Sequence, residues 1–431
     1  MNIINIKDKN LFYIGGVVRD EILGRKSLDV DITYVGDAIE YCRKMDSVEI
    51  IQENPDFGTV RVKVDCYPEV LAELFEYPAS YDSQARQRCK QGSHNDEILR
   101  VAQNDNIMVD IASTRSESYP HKGHLPVVDK IGCSLKTDVM RRDFTINALA
   151  KNTLTGEIVD YTGGLEDLKN KKIRVLHDES FIDDPTRIIR ALKFSVRFGF
   201  ELEEHTRKLQ EEYLNNINYD MSYKRVKKEL IETFNPHCHF EALAEESYDC
   251  KILRFAQDDI NYQLAFEKFI NEGIYKLVTE REVKLPNVNV ENLINDYSTS
   301  QSLNHSTMWL VYVGVLKDLS RLPLSRAEQK ILDDVPTHKL ETDFELYKAF
   351  ENACIETVLL YAVLYDEKGA RRYLDDLRNI KISVTGKDLQ KLGIKPSPKY
   401  QEIFDEILKA KLKTPQMSHA EEIELIKNLF L

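Results

Sequence analysis

The hydrophobic period changes once along this chain, and that change limits what it can fold into. Up to about Arg115 the apolar residues come in short alternating runs, LFYI (11–14), LDVDITYV (28–35), FGTVRVKVD (57–65) and IMVDIASTR (107–115). Period-two alternation is the signature of strands with one covered face. From Lys136 onward the spacing is helical, in DDPTRIIRALKFSVRFGF, SYKRVKKELIETF, QLAFEKFI, STMWLVYVGVL, ELYKAFENACIETVLLYAVLY and PKYQEIFDEILKAKL, with EIVDY and KIRVL as short strand candidates. The expected fold class is therefore α+β: a small mixed sheet carrying helices, followed by an all-helical remainder. ISVTGKDLQKLGIKPSP (382–398) reads as a linker between the last two helical modules.

Two segments interrupt this order. Residues 93–106 (SHNDEILRVAQNDN) and 247–260 (SYDCKILRFAQDDI) share seven of fourteen positions, 154 residues apart, with nothing similar around them. Repeats that build a solenoid recur at a fixed period; an isolated pair does not. Each copy lies where a short turn is expected, and surface turns accept long insertions at small entropic cost. Residues 66–106 and 235–260 are accordingly read as insertions peripheral to function. They carry net charges of −3 and −4 and four of the seven cysteines, so the total of −13 falls to about −6 without them. A strongly acidic total disfavours a nucleic-acid partner; this distribution weakens that objection. No apolar run approaches the roughly 20 residues that span a bilayer, so no membrane partner is expected. The N-terminus lacks the layout of a signal peptide, and unpaired cysteine spacing points to reduced thiols in a cytoplasm.

The chemistry concentrates in FYIGGVVRDEILGRKSLDVDI (12–32). A Gly15–Gly16 turn entering a helix lets backbone N–H groups approach an anion, and Arg19, one turn on, can reach the same anion. On a strand Asp29 and Asp31 share a face and can hold Mg²⁺ over a triphosphate. A lone D-x-D is more often a solvated strand face; the glycine turn and Arg19 at short spacing favour a site. Asp110, on the return arm of the expected hairpin, is either a third catalytic carboxylate or a structural strand residue. In DVMRRDFTINALA (138–150), Arg142 can bind triphosphate while Asp143 and Asn147 fix its direction, at the expected start of a helix.

The last cluster lies in DDPTRIIRALKFSVRF, where Arg187, Arg190, Lys193 and Arg197 fall on one helical face, an arrangement suited to phosphate. Asp184 accepts hydrogen bonds and Arg187 donates them, so together they can distinguish the amino groups of adenine and cytosine from the carbonyls of guanine and uracil. Asp184 before Pro185 is also a good helix N-cap.

Taken in order, GGVVRDEILG…DVD, RRDFTINALA and DDPTRIIRALKF resemble the class II tRNA nucleotidyltransferase and bacterial poly(A) polymerase family, within the DNA polymerase β-like superfamily. TGKDLQKLGIKPSP resembles the tail of the same family. The resemblance implies a nucleotidyltransferase head (1–150), a neck with a nucleotide-selecting helix (151–234), a helical body (261–381) and a tail (382–431). It also implies template-independent addition of C, C and A to a tRNA 3′ end, with tRNA, ATP and CTP as partners and no protein partner. By position, Asp29 and Asp31 would carry Mg²⁺, and Gly16, Arg19, Arg142, Arg187 and Arg190 would bind nucleotide, with Asp184 beside them. Lys224, Arg225, Lys227, Lys228 and the segment near Lys387–Lys399 are candidate tRNA contacts, and RSESYPHKGHLPVV (115–128) a candidate switch between nucleotides. Narrower relatives (CC-adding, A-adding or poly(A)-adding) and a non-catalytic RNA-binding protein are the rival readings. Two departures stand out: Asp183 where the family has Glu, which bears on how Arg187 is braced, and Lys193 where Arg is common. No His-Asp constellation of a phosphohydrolase domain is read in the C-terminal half.

Overall fold

The computed structural model describes residues 6–25, 30–46, 48–65, 106–217, 221–235, 260–297 and 304–431. Asp29 and both expected insertions, apart from residues 106, 235 and 260, lie outside the described residues.

The chain divides into two compact units, residues 1–277 and 278–431. In the first, seven strands form one mixed sheet in the order β3-β4-β5-β2-β1-β8-β9. They are β1 (Leu11–Ile14), β2 (Asp31–Tyr34), β3 (Val48–Asn54), β4 (Thr59–Asp65), β5 (Asn106–Ser113), β8 (Ala150–Asn152) and β9 (Ile158–Val159); β6 (Arg115–Ser118) and β7 (Val127–Ile131) pair separately. Within this sheet only β2 and β5 run parallel, and a short separate pair, Lys172–Ile173 with Glu201–Leu202, is also parallel; the α+β expectation holds. The expected hairpin is β4–β5, with Asp65 opposite Asn106 at its tip.

Alternation decides which face of the sheet is covered. Val60, Val62 and Val64 of β4, Val109 and Ile111 of β5 and Ile32 of β2 are buried. Helix α2 (Ala38–Arg43) packs on β3, β4 and β5 and contributes buried Ala38, Ile39 and Cys42. Asp37 caps it, its carboxylate accepting from the Glu40 N–H at 3.0 Å. On the uncovered face Asp31, Asp110, Arg61 and Gln52 are exposed and stand in one cross-strand row. Helix α1 (Gly16–Ile22) leaves the end of β1 through Gly15, whose φ of 73° is open to glycine and costly for most other residues.

DVMRRDFTINALA differs from its expected helix start. Helix α3 (Leu135–Met140) ends before Arg141, a 3₁₀ turn spans Thr145–Asn147, and β8 follows. Phe144, Ile146, Ala148, Leu149 and Ala150 are fully buried. Phe144 bridges to Val175 and the 3₁₀ turn follows, so this apolar run fills the core through a bridge, a tight turn and a strand in place of an α-helix with one covered face.

After α4 (Gly164–Lys169) and the short α5 (Ser180–Asp183), helix α6 (Thr186–Phe198) buries Ile188, Ile189, Leu192, Phe194 and Val196. It packs against α8 (Tyr223–Phe234) and α9 (Tyr262–Asn271), with α7 (Glu204–Asn215) between α6 and α8 in sequence. Phe234 and Phe269 meet edge to face at 5.4 Å. We propose the division into head, neck, body and tail on the family resemblance; α9, at the start of the proposed body, packs within the first unit.

The second unit is helical, built on buried Trp309, Tyr312, Phe350 and Tyr361. Ser325, Thr342, Thr385 and Ser418 each close a capping box. The linker expected at 382–398 is instead part of a core. Gly386–Lys391 is a helix, and Val384 and Leu389 pack with Ile403, Ile407 and Ile426. The glycine, proline and lysine content that suggested a linker marks the bends around that helix. No helix among the described residues is long and apolar enough to cross a membrane.

Candidate active site

Arg142 lies over the Gly15 turn. A Cβ built on Gly15 would stand 3.0 Å from Arg142 Nη1, and one on Gly16 would stand 3.5 Å from Arg19 Nη2. The glycine pair therefore makes room for two guanidinium groups at the start of α1. Arg142 Nε is buried and has no hydrogen-bond partner. Burial draws the Arg142 pKa down, with Asp138 and Asp31 opposing. A desolvated cation with an unused donor beside a glycine turn is a cradle for an anion.

Arg19 is buried and does two things. Its Nε and Nη2 pair with Asp20 Oδ1 at 2.8 and 2.7 Å, and its Nη1 donates to Asn147 Oδ1 at 2.6 Å. The guanidinium also lies 4.5 Å from the centre of the Phe198 ring and 5.2 Å from Phe194. Sequence spacing placed Arg19 on the anion; the structure makes it also a tie between α1 and α6. Asn147 in turn donates to Asp143 Oδ1 at 3.0 Å, and Asp143 Oδ2 accepts from Arg190 Nε and Nη2 at 2.9 and 2.6 Å. Burial by itself would raise the Asp143 carboxyl, yet the Arg190 charge and the Asn147 and Arg190 hydrogen bonds bring it down to about 2. Arg190 is pushed up by the same pairing.

The carboxylates form a second cluster. Asp31 and Asp110 are in register on parallel strands, on the uncovered face. Asp110 is gripped by Arg61, Nε to Oδ1 at 2.8 Å and Nη2 to Oδ2 at 2.9 Å. Two adjacent carboxylates are the hard-oxygen donor set that Mg²⁺ takes alongside substrate phosphates, so the residues fit the ion. Among the described residues no group of three His, Cys, Asp or Glu side chains gathers around a metal position; Asp29 lies outside them.

Asp184 and Arg187 are both buried; the Arg187 N–H donates to the Asp184 carbonyl at 3.1 Å, while their side chains bond elsewhere. Asp184 Oδ1 accepts from Thr186 N–H at 3.2 Å and Oγ1 at 2.6 Å; Pro185, not Asp184, stands at the N-cap of α6, so the carboxylate fixes the turn that enters the helix. Asp184 Oδ2 accepts from Arg225 Nη2 at 2.5 Å. Arg187 donates to Ser180 Oγ at 2.6 Å, to the Arg141 carbonyl at 3.1 Å and to the Tyr119 hydroxyl at 3.2 Å. Asp183 does not brace Arg187 as the family pattern would have it. Its carboxylate pairs with Lys122 at 2.7 Å and its carbonyl accepts from Gly123 N–H at 3.1 Å. With Ser222 N–H donating to the Gly123 carbonyl and Arg225 Nη1 to the His124 carbonyl, the loop at 119–124 is fastened to the start of α6 and α8.

The expected phosphate-tracking face of α6 turns toward protein. Lys193 pairs with Glu232 at 2.8 Å and Glu229 at 3.4 Å, Arg190 with Asp143, and Arg197 lies 5.3 Å from the Phe198 ring. Helical spacing puts these cations on one face, while the carboxylates that answer Lys193 come from α8 and the one that answers Arg190 most closely is Asp143. Arg61 is not read from the sequence; Tyr119 and Lys122 lie in the segment expected to switch between nucleotides, with no individual role assigned, and Arg225 is expected as a tRNA contact. For Arg61 the signal was partial: it points outward in TVRVKVD, but its partner cannot be counted across the long hairpin connection.

Residues 64–174 match a family model described as the poly A polymerase head domain. The chain is 27% identical over 443 residues to an A-adding tRNA nucleotidyltransferase of Geobacter sulfurreducens, covering 97% of this chain and 45% of that one. It therefore spans less than half the length of that relative. It is 26% identical to an A-adding tRNA nucleotidyltransferase of Halalkalibacterium halodurans, covering 91% and 82%. Among solved structures, a CCA-adding enzyme in an apo form aligns with a TM-score of 0.66 at 22% identity, over 97% of this chain and 91% of that one. This is a likeness of fold.

Proposed function

We propose, from the premise that the chain belongs to the tRNA nucleotidyltransferase and poly(A) polymerase family, that it adds C, C and A to the 3′ end of tRNA. ATP and CTP are the donors, no template is used, and the compartment is the cytoplasm. The observation that carries this reading is the Arg142–Gly15 cradle at the start of α1, beside a sheet whose uncovered face sets Asp31 and Asp110 in register.

The residues divide the work. Arg142 and the N–H groups at Gly15–Gly16 hold the triphosphate at the positive end of α1. Mg²⁺, held by Asp31, Asp110 and, by the sequence reading, Asp29, supplies neutralisation of phosphate charge when bound. The tRNA 3′ hydroxyl attacks the α-phosphorus; the new O3′–P bond forms as the bond to the bridging oxygen breaks, and pyrophosphate leaves. Asp184 and Arg187 select the base, their orientation set by Thr186, Arg225, Ser180, Tyr119 and the Arg141 carbonyl. Sequence-independent recognition of the tRNA stems rests on phosphate and 2′-hydroxyl contacts.

Addition of the terminal A alone is the second reading, favoured by the names of both relatives. Purified protein is incubated with tRNA ending at the discriminator, at CC or at CCA, with labelled CTP or ATP. Incorporation of C on the first substrate supports CCA addition, and A on the CC substrate only supports A addition. No incorporation on any substrate, or incorporation undiminished in Asp31→Ala, refutes the assignment.

A further inference from the structure

Asp138 is completely buried, and its two oxygens live in different surroundings. Oδ1 accepts from the Arg115 N–H at 3.0 Å and from Arg141 Nε and Nη2 at 3.0 and 2.9 Å. Oδ2 accepts from nothing and faces Arg142 Nη2 at 3.6 Å, just beyond hydrogen-bond length. Arg142 Nε, on the same guanidinium, is also buried and unbonded. Leaving a buried polar group without a partner costs about 1–3 kcal/mol, so two on neighbouring side chains of opposite charge call for a reason.

Resting on the nucleotidyltransferase reading, we propose that Asp138 is a positioning residue for the triphosphate. Its unbonded oxygen holds Arg142 by charge alone, over the Gly15 turn, with the donors of the guanidinium left for phosphate. Direct pairing at 2.8 Å would consume those donors. Asp138 thus aims the phosphate-binding cation and itself touches neither substrate nor metal.

The test is a double-mutant cycle on MgATP binding, read by isothermal titration with far-UV circular dichroism as the control for folding. Asp138→Asn and Arg142→Gln each weaken binding, by about tenfold, within the range for residues sharing one charge network. Asp138→Asn adds less than about twofold in the Arg142→Gln background. If the two effects instead multiply, Asp138 acts independently of Arg142 and the inference falls. Should Asp138→Asn not fold, Arg142→Lys decides. It keeps the charge but not the fork, and is expected to bind as weakly as Arg142→Gln; wild-type affinity overturns the inference. A wild-type protein that binds no MgATP overturns the nucleotidyltransferase reading and this inference with it, whereas normal wild-type binding with a multiplicative cycle overturns this inference alone.

Discussion

Asp143→Asn tests how the site is held together. Asp143 Oδ2 receives two donors from Arg190, and Oδ1 receives the Phe144 N–H at 2.8 Å and Asn147 Nδ2 at 3.0 Å. An amide at this position must turn its NH₂ toward one of these donor pairs, so either orientation sets donor against donor. Removing one member of a buried ion pair typically costs about 3–5 kcal/mol. Arg190 is one-third exposed and has Glu229 at 3.5 Å in reserve, which puts the expected loss at the low end. The carboxyl pKa gives an independent figure. A fall from the ordinary 3.8 to about 2 corresponds to roughly 2 kcal/mol at about 1.4 kcal/mol per unit. Because the folded pKa is depressed, this stabilisation is present above about pH 4 and is lost as pH falls through about 2, with roughly half gone near pH 3. Hydrogen exchange on peptides covering Thr186–Phe198, at pH 6 and pH 3, measures both. Fluorescence of Trp309, the single tryptophan, reports on the second unit as a control. The variant should open α6 by about 2–3 kcal/mol more easily at pH 6, with the gap narrowing at pH 3. A gap that is absent, or that widens at pH 3, would show that the Asp143 charge does not bind α6 to the sheet.

Gly15→Ala forces a side chain onto φ 73° and places its Cβ 3.0 Å from Arg142 Nη1; KM for ATP in the primer assay should rise about tenfold, at a strain of order 1–2 kcal/mol. Replacing residues 66–105 by a two-residue turn should leave incorporation unchanged, because Asp65 and Asn106 are already opposite one another; loss of activity in a folded product would refute the insertion reading. Lys411→Met strips the partner from fully buried Glu422, whose other oxygen is held by Ser383 and Val384. Exchange in the helix Lys399–Lys413 should then accelerate by the equivalent of about 3–5 kcal/mol.

What the sequence disclosed was local. The strand, glycine turn and helix at 11–22, the two hairpin arms and helix Thr186–Phe198 all declare themselves through period or turn chemistry within a few residues. The partners did not, since each comes from a distant segment. Arg61 meets Asp110 through a strand register that the 40 residues between the arms conceal, and Arg225 meets Asp184 through the packing of α8 on α6. The α6 cations face Glu229 and Glu232, so a stripe that is basic in isolation is close to balanced in place. Residues 144–150 read as a helix start because FTINALA is too short to show a period that distinguishes a helix from a turn and strand.

Phe198 has the guanidinium carbons of Arg19, Arg25 and Arg197 at 4.5, 5.2 and 5.3 Å from its centre. Together with the chain of bonds from Arg190 through Asp143 and Asn147 to Arg19, this welds α6, the helix we propose selects the base, to the glycine turn where we propose phosphate sits. A change of preferred base between successive additions would then have little room to arise from a swing between those two parts. It would have to come from smaller movements at the rim, where Lys122 and Arg225 hold a surface loop by contacts that water can replace.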